Sequence, residues 1–172
     1  MPATYEPIAT TTLGSAATNI TFSSIPATYT DLRLVLVARS DRAINSIDSV
    51  YFQVNSDTAT NYSNTLLYGD GGSAQAYRES SQSQILAASI PASGATSGIF
   101  GFLIIDIFSY AGSTNKTFLC NSSGDSNGSG RTQRAVALWR NTAAITSTKV
   151  YPAVGTNFIT GTTATLYGIL KA

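Results

Sequence analysis

Apolar and polar residues alternate in short runs along most of this chain, the period-two signature of half-buried strands. No window of a dozen residues carries a 3.6-residue period. The pattern predicts strands over residues 17–22, 31–38, 48–55, 61–68, 98–110, 116–121, 135–140, 145–151 and 163–170. In 31–38, Leu32, Leu34 and Leu36 share one face, and the opposite face carries Arg33, Val35 and Val37, so the strand is expected to be central. Segment 98–110 places Ile99, Leu103, Ile105 and Ile107 on one side and Phe100, Phe102, Ile104 and Phe108 on the other, which predicts burial on both faces. Residues 77–90 are ambiguous between strand and helical turn. Loops are expected at 69–76, 91–98 and 121–131, where Gly, Ser, Asn and Asp cluster.

The expected architecture is therefore all-β: an antiparallel two-sheet β-sandwich of jelly-roll or Greek-key type with about eight to ten strands. Residues 1–13 are set apart as an extended N-terminal arm, because Pro2 and Pro7 disfavour helix and the threonines favour extension. Residues 14–172 form one domain, with no composition break or repeat to divide them.

Composition sharpens this picture. The chain has 172 residues, with 22 Ser, 23 Thr, 14 Gly and 10 Asn, whereas Lys and Glu, the common residues of exposed helices, are scarce. A chain of this length can bury a full core without staples. There is no histidine and a single cysteine, Cys120, so no intrachain disulfide, no ordinary zinc, copper or iron ligand set, and no Ser-His-Asp or Cys-His machinery can be built. No cofactor and no catalytic residue is expected. A net charge of +1 with dispersed Lys and Arg argues against nucleic acid, and no apolar run is long enough to cross a bilayer as a helix. The N-terminus lacks a basic start and an apolar stretch, so a secretory leader is not expected and the five N-x-S/T sequons carry no weight.

Few residues suggest chemistry. Asp125, Asn127 and Ser129, with Gly130, match the first positions of a calcium-binding loop, but the twelfth position is Val136 and no helices flank it, so a plain loop is preferred. Asp106 lies within the most apolar segment and must either be paired, with Arg33, Arg134 or Arg140 as candidates, or serve as a pocket carboxylate; pairing is favoured. Trp139 and tyrosines such as Tyr62, Tyr68 and Tyr77 are read either as core aromatics or as stacking surfaces for sugar or protein. The glycine-dense 69–72 has neither Walker nor dinucleotide spacing.

Phrases spread along the chain, 7–13 (PIATTTL), 20–26 (ITFSSIP), 29–32 (YTDL), 61–63 (NYS), 137–140 (ALWR), 145–147 (ITS), 161–163 (GTT) and 166–169 (LYGI), resemble a small virion structural protein of tailed bacteriophages of the cyanophage and aquatic-phage type. The resemblance implies a non-enzymatic β-sandwich subunit, assembled in a bacterial cytoplasm and carried on the virion. Two roles follow. A capsid decoration, or cement, protein would bind the major capsid protein or other virion proteins, as a homotrimer, with Pro2, Tyr5, Pro7 and Ile8 of the arm as partner contacts. A tail-fibre or tail-tip protein would instead bind a host glycan or receptor through Tyr68 and Tyr77, both expected on loops.

Overall fold

A computed structural model describes residues 4–170. Twelve strands make up the described chain: β1 (Tyr5–Thr12), β2 (Ile20–Phe22), β3 (Asp31–Ala38), β4 (Ile47–Val54), β5 (Tyr62–Gly69), β6 (Ala74–Gln82), β7 (Ile85–Pro91), β8 (Gly101–Phe108), β9 (Lys116–Gly124), β10 (Arg131–Trp139), β11 (Thr148–Pro152) and β12 (Thr163–Ile169). All pairings are antiparallel. They form an eight-stranded sheet in the order β1-β12-β3-β8-β9-β10-β5-β6 and a four-stranded sheet in the order β2-β11-β4-β7. The protein is thus a two-sheet β-sandwich.

The strand count exceeds the expected eight to ten for two reasons. Residues 77–90 are neither one strand nor a helical turn: β6 and β7 share the segment 74–91 but belong to different sheets. Between them the chain switches layers close to Ser81, which takes a positive φ of 56°. The arm segment is extended, and its described part is β1, hydrogen-bonded to β12 of the same chain. Pro7, which has no N–H to offer, is tolerated because β1 is an edge strand, and the register shifts between Pro7 and Ala9. Tyr29 holds this edge in place. Its ring lies over Gly168, where an added Cβ would come within 2.4 Å of it, and its hydroxyl donates to Glu6 Oε2 at 3.2 Å.

The two sheets bury one core between them. Leu32, Leu34 and Leu36 of β3, Leu103, Ile105 and Ile107 of β8, Phe118 and Cys120 of β9 and Trp139 of β10 meet Val50, Phe52, Val54, Ile85, Ile90 and Val150 of the smaller sheet. Phe52 and Phe118 join the layers edge to face with ring centroids 5.7 Å apart. Two buried cations inside this structure are held by backbone carbonyls. The guanidinium of Arg39 donates to the carbonyls of Ser93, Ala95, Thr96 and Ile99, so the predicted 91–98 loop is tied to the end of β3. The fully buried Lys116 likewise donates to the carbonyls of Gly112, Thr114 and Thr142, joining two loops at one end of the sandwich.

Burial corrects one strand reading. The Leu103, Ile105 and Ile107 face of β8 is inside, but Phe102 and Phe108 on its other face are exposed, so the strand is not covered on both sides. The small sheet covers only one face of the large one, and no described layer lies on the other.

Candidate functional site

The outward face of the eight-stranded sheet is the most unusual surface of the molecule. Its composition follows directly from the register. Reading across β12, β3, β8, β9, β10 and β5, one row runs Thr165, Val35, Ile104, Asn121, Arg134 and Leu67. The next runs Tyr167, Arg33, Asp106, Leu119, Val136 and Thr65. Phe102 and Val37 lie beyond the first row and Phe108 with Leu138 beyond the second. Exposure is 42% for Phe102, 43% for Phe108, 50% for Val136 and 61% for Leu67. A sheet face turned to water ordinarily alternates polar outward against apolar inward. Here both parities of β8 are apolar, and the outward residues of neighbouring strands extend the patch. A shallow depression of about 230 Å³ opens in the same face beside Ser63, Thr65, Thr117, Val136 and Leu138.

At the centre of this face Arg33 clasps Asp106. Arg33 Nε donates to Asp106 Oδ1 at 2.6 Å and Nη2 donates to Oδ2 at 3.0 Å, a two-pronged charge-assisted pair. The Arg33 guanidinium also lies 5.4 Å from the centre of the Tyr5 ring. Of the two expectations for Asp106, the structure shows pairing, and with the first of the three candidate arginines. The pair balances two of the charges on this face, while Arg134, in the first row, stands exposed.

The remaining predicted residues fall elsewhere. Tyr5 and Pro7 lie exposed on β1, and Ile8 packs against the chain's own core; Pro2 lies outside the described residues. Tyr68 and Tyr77 are not on loops. They sit on β5 and β6, on the inward-facing side of the large sheet, where Leu66 pairs with Tyr77 and Tyr68 with Gln75. Their apparent separation in sequence is removed by hairpin pairing, which puts both at one ledge that the smaller sheet does not reach.

Tyr62 is not exposed but fully buried, stacked against Trp139, and its hydroxyl donates to the carbonyls of Val54 and Asp57. Trp139 is a core residue whose Nε1 donates to Asp57 Oδ2 at 2.7 Å. Of the two readings of these aromatics, packing describes Tyr62 and Trp139, whereas Tyr68 and Tyr77 remain accessible.

The calcium-like segment is a hairpin turn. Asn127 and Gly128 both have positive φ, 56° and 86°, as a type I′ turn between β9 and β10 requires. The carboxylate of Asp125 accepts the amide of Gly128 at 3.1 and 3.3 Å. Asp125, Asn127 and Ser129 therefore follow turn chemistry, and among the described residues no three His, Cys, Asp or Glu side chains gather as a metal site. The Asp70 turn between β5 and β6 is built on the same principle, its carboxylate accepting the amides of Gly72 and Ser73.

Residues absent from the expected sites include Arg131 and Gln133 at the ledge. Gln133 shares the inward parity of β10 with Ala135, Ala137 and Trp139. A polar residue on the apolar side of a strand is a readable signal, but the predicted strand began at Ala135 and left it out.

No protein-family model matches the sequence, and no curated protein sequence matches it. Among solved structures, the chain is similar to a crystal structure of scytalido-glutamic peptidase with a transition state analog inhibitor. The match has 10% identity, covers 91% of this chain and 64% of that one, and has a TM-score of 0.26. The chain thus spans less than two thirds of that structure's length.

Proposed function

We propose that this chain is a non-enzymatic structural subunit of a tailed-phage particle, a capsid decoration protein that packs against protein neighbours through the outward face of its eight-stranded sheet. The observation that carries the reading is that face itself: Phe102, Phe108, Val136 and Leu67 stand in water on a sheet whose opposite side already holds the core. Apolar patches of this kind mark interaction surfaces on soluble proteins. The sequence resemblance to virion proteins supports the same reading, and the in-chain Arg33–Asp106 pair leaves the centre of the face without an unpaired charge.

The occupant is a neighbouring copy of this chain in a homotrimer seated on the capsid lattice, each copy's face meeting a different surface of the next around the threefold axis. The rows of Val, Ile, Leu and Phe across β3, β8, β9 and β10 supply the apolar surface for that contact. Sedimentation equilibrium of the purified chain tests this. Association that disappears in Phe102→Ser/Phe108→Ser, with an unchanged circular dichroism spectrum, is the expected result; a wild-type chain that stays monomeric at high micromolar concentration overturns it. Quantifying the chain in purified particles distinguishes decoration, with hundreds of copies, from the alternative tail-tip role, with a few dozen at most. That alternative draws on a separate observation, the meeting of Tyr68 and Tyr77 at the ledge.

A further inference from the structure

The eight-stranded sheet is wider than the four-stranded sheet packed on it. β7, at one edge of the small sheet, lies over β8, β9 and β10 and only grazes β5, so β6 overhangs with its inward side open. The step between the layers forms a cleft of about 140 Å³. This is roughly tenfold the 10–15 Å³ that admits one water molecule. Leu66 and Leu86 supply apolar surface, Tyr68 and Tyr77 aromatic surface, and Arg131 and Gln133 polar groups.

Two buried donors in this cleft have no partner. Gln133 is only 5% exposed; its Oε1 accepts from Ser89 Oγ at 2.9 Å, but its Nε2 donates to nothing. Arg131 Nε is also buried and unpartnered, while the guanidinium carbon stands 4.1 Å from the centre of the Tyr68 ring. An amide or guanidinium N–H left unpaired away from water is costly, and buried donors of this sort are nearly always satisfied. Arg131 forms no ion pair among the described residues. Around these donors the remaining groups are already oriented: Tyr68 Oη donates to Gln75 Oε1 at 2.5 Å, and Tyr77 Oη donates to Glu79 Oε1 at 2.8 Å, leaving the half-exposed Tyr77 ring held beside the opening.

We infer that the ledge cleft between β6 and β7 binds one pyranose unit of a glycan, with Tyr77 lying along the sugar's C–H face and Gln133 and Arg131 donating to its oxygens. A pyranose combines what the cleft lacks and what it offers: acceptor oxygens on its rim and an apolar face suited to an aromatic ring. A phosphate-rich ligand is disfavoured, because a single arginine serves the site while Asp70 and Glu79 stand close by. The cleft lies on the opposite side of the large sheet from the assembly face, so this inference stands or falls separately from the decoration reading. In an oligomer, weak sites of this kind would gain strength by acting together.

The test is saturation-transfer NMR on the intact chain with methyl α-glucopyranoside, methyl α-galactopyranoside and methyl glucuronide as probes. Binding is expected with dissociation constants on the order of 1 mM. Tyr77→Ala and Gln133→Met should each weaken it at least tenfold, and Thr18→Ala, exposed ahead of β2 at the opposite edge of the small sheet, should leave it unchanged. Tighter binding of the glucuronide would assign the acceptor to Arg131. Equal binding of the neutral sugars would assign it to Gln133, and both results support a pyranose site. Silence with all three probes, or binding that survives Tyr77→Ala and Gln133→Met in folded protein, overturns the inference. Because Tyr77 is already half exposed, its replacement tests the site without disturbing the core.

Discussion

Removing either member of the Arg33–Asp106 pair should have unequal effects, and the inequality follows from where the two side chains sit. The Arg33 side chain is 34% exposed, but that of Asp106 is only 12% exposed. Asp106 lies between Arg33 on β3 and Leu119 on β9. In Arg33→Ala the carboxylate loses both of its donors and keeps its place among apolar strands. Breaking a fully buried pair in this way costs about 3–5 kcal/mol. Exposed pairs contribute about 0–1 kcal/mol, so the partial exposure of Arg33 brings the expected loss to about 2–3 kcal/mol. In Asp106→Ala the longer, more exposed guanidinium can turn to water, and the loss should be nearer 1 kcal/mol. Replacing both partners, as Arg33→Met/Asp106→Val, should return stability to within about 1 kcal/mol of the parent, since no charge is then left in the sheet. Urea titrations followed by the fluorescence of the sole tryptophan, Trp139, and by circular dichroism supply the free energies. For a chain of this length each kcal/mol also moves the thermal midpoint by about 2–4 °C. If Arg33→Ala is no more destabilising than Asp106→Ala, or the apolar double variant is as weak as Arg33→Ala, the desolvation argument is wrong.

Two further outcomes test the interior. Burial opposes ionisation of Asp57, but hydrogen bonds from Asn61, Trp139 and the amide of Ala59 outweigh it and hold the pKa below the ordinary carboxylate value. Its contribution is therefore present above about pH 4, where the unfolded carboxylate is also ionised, and is lost as pH falls through the depressed native value. Asp57→Ala should cost about 1–3 kcal/mol at neutral pH by orphaning the Trp139 indole N–H, and should flatten the acid limb of a stability-against-pH curve; an unchanged limb would count against the assignment. Cys120 is wholly buried and its thiol pKa is pushed up to about 12, first by loss of solvent and then by the Asp106 charge. A disulfide reagent at pH 8 should find no reactive thiol in the folded chain and one per chain in urea; rapid native reaction would mean that the core opens there.

Several features were legible in the sequence because they depend only on neighbours along the chain. Strand β3 occupies the predicted 31–38, since period-two alternation of Leu32, Leu34 and Leu36 is a local property. The Asn127-Gly128 pair is equally local: it is a strong hairpin signal in its own right, and it lets β9 run on to Gly124, inside the predicted 121–131 loop. The β6 segment was harder. Its residues are exposed on nearly every position, so no apolar rhythm marks it, and its strand character comes from pairing with β5. Gln133 at the ledge and the outward exposure of Phe102 belong to the same class, because each depends on where the second sheet ends.

The amino-acid sequence by itself determined that this is an all-β chain with a full apolar core, without histidine chemistry, and with one carboxylate, Asp106, in its most apolar segment, either paired or a pocket group. Those properties reside in composition and in the two-residue period of each strand. Only the tertiary structure decided that Arg33 pairs with Asp106, that Tyr68 and Tyr77 share a ledge, and that the apolar outward side of β8 meets water. Alternation tells which residues of a strand point the same way, but not what lies opposite them. With eight strands in one sheet and four in the other, coverage is unequal, and that inequality creates both the exposed assembly face and the cleft beside it.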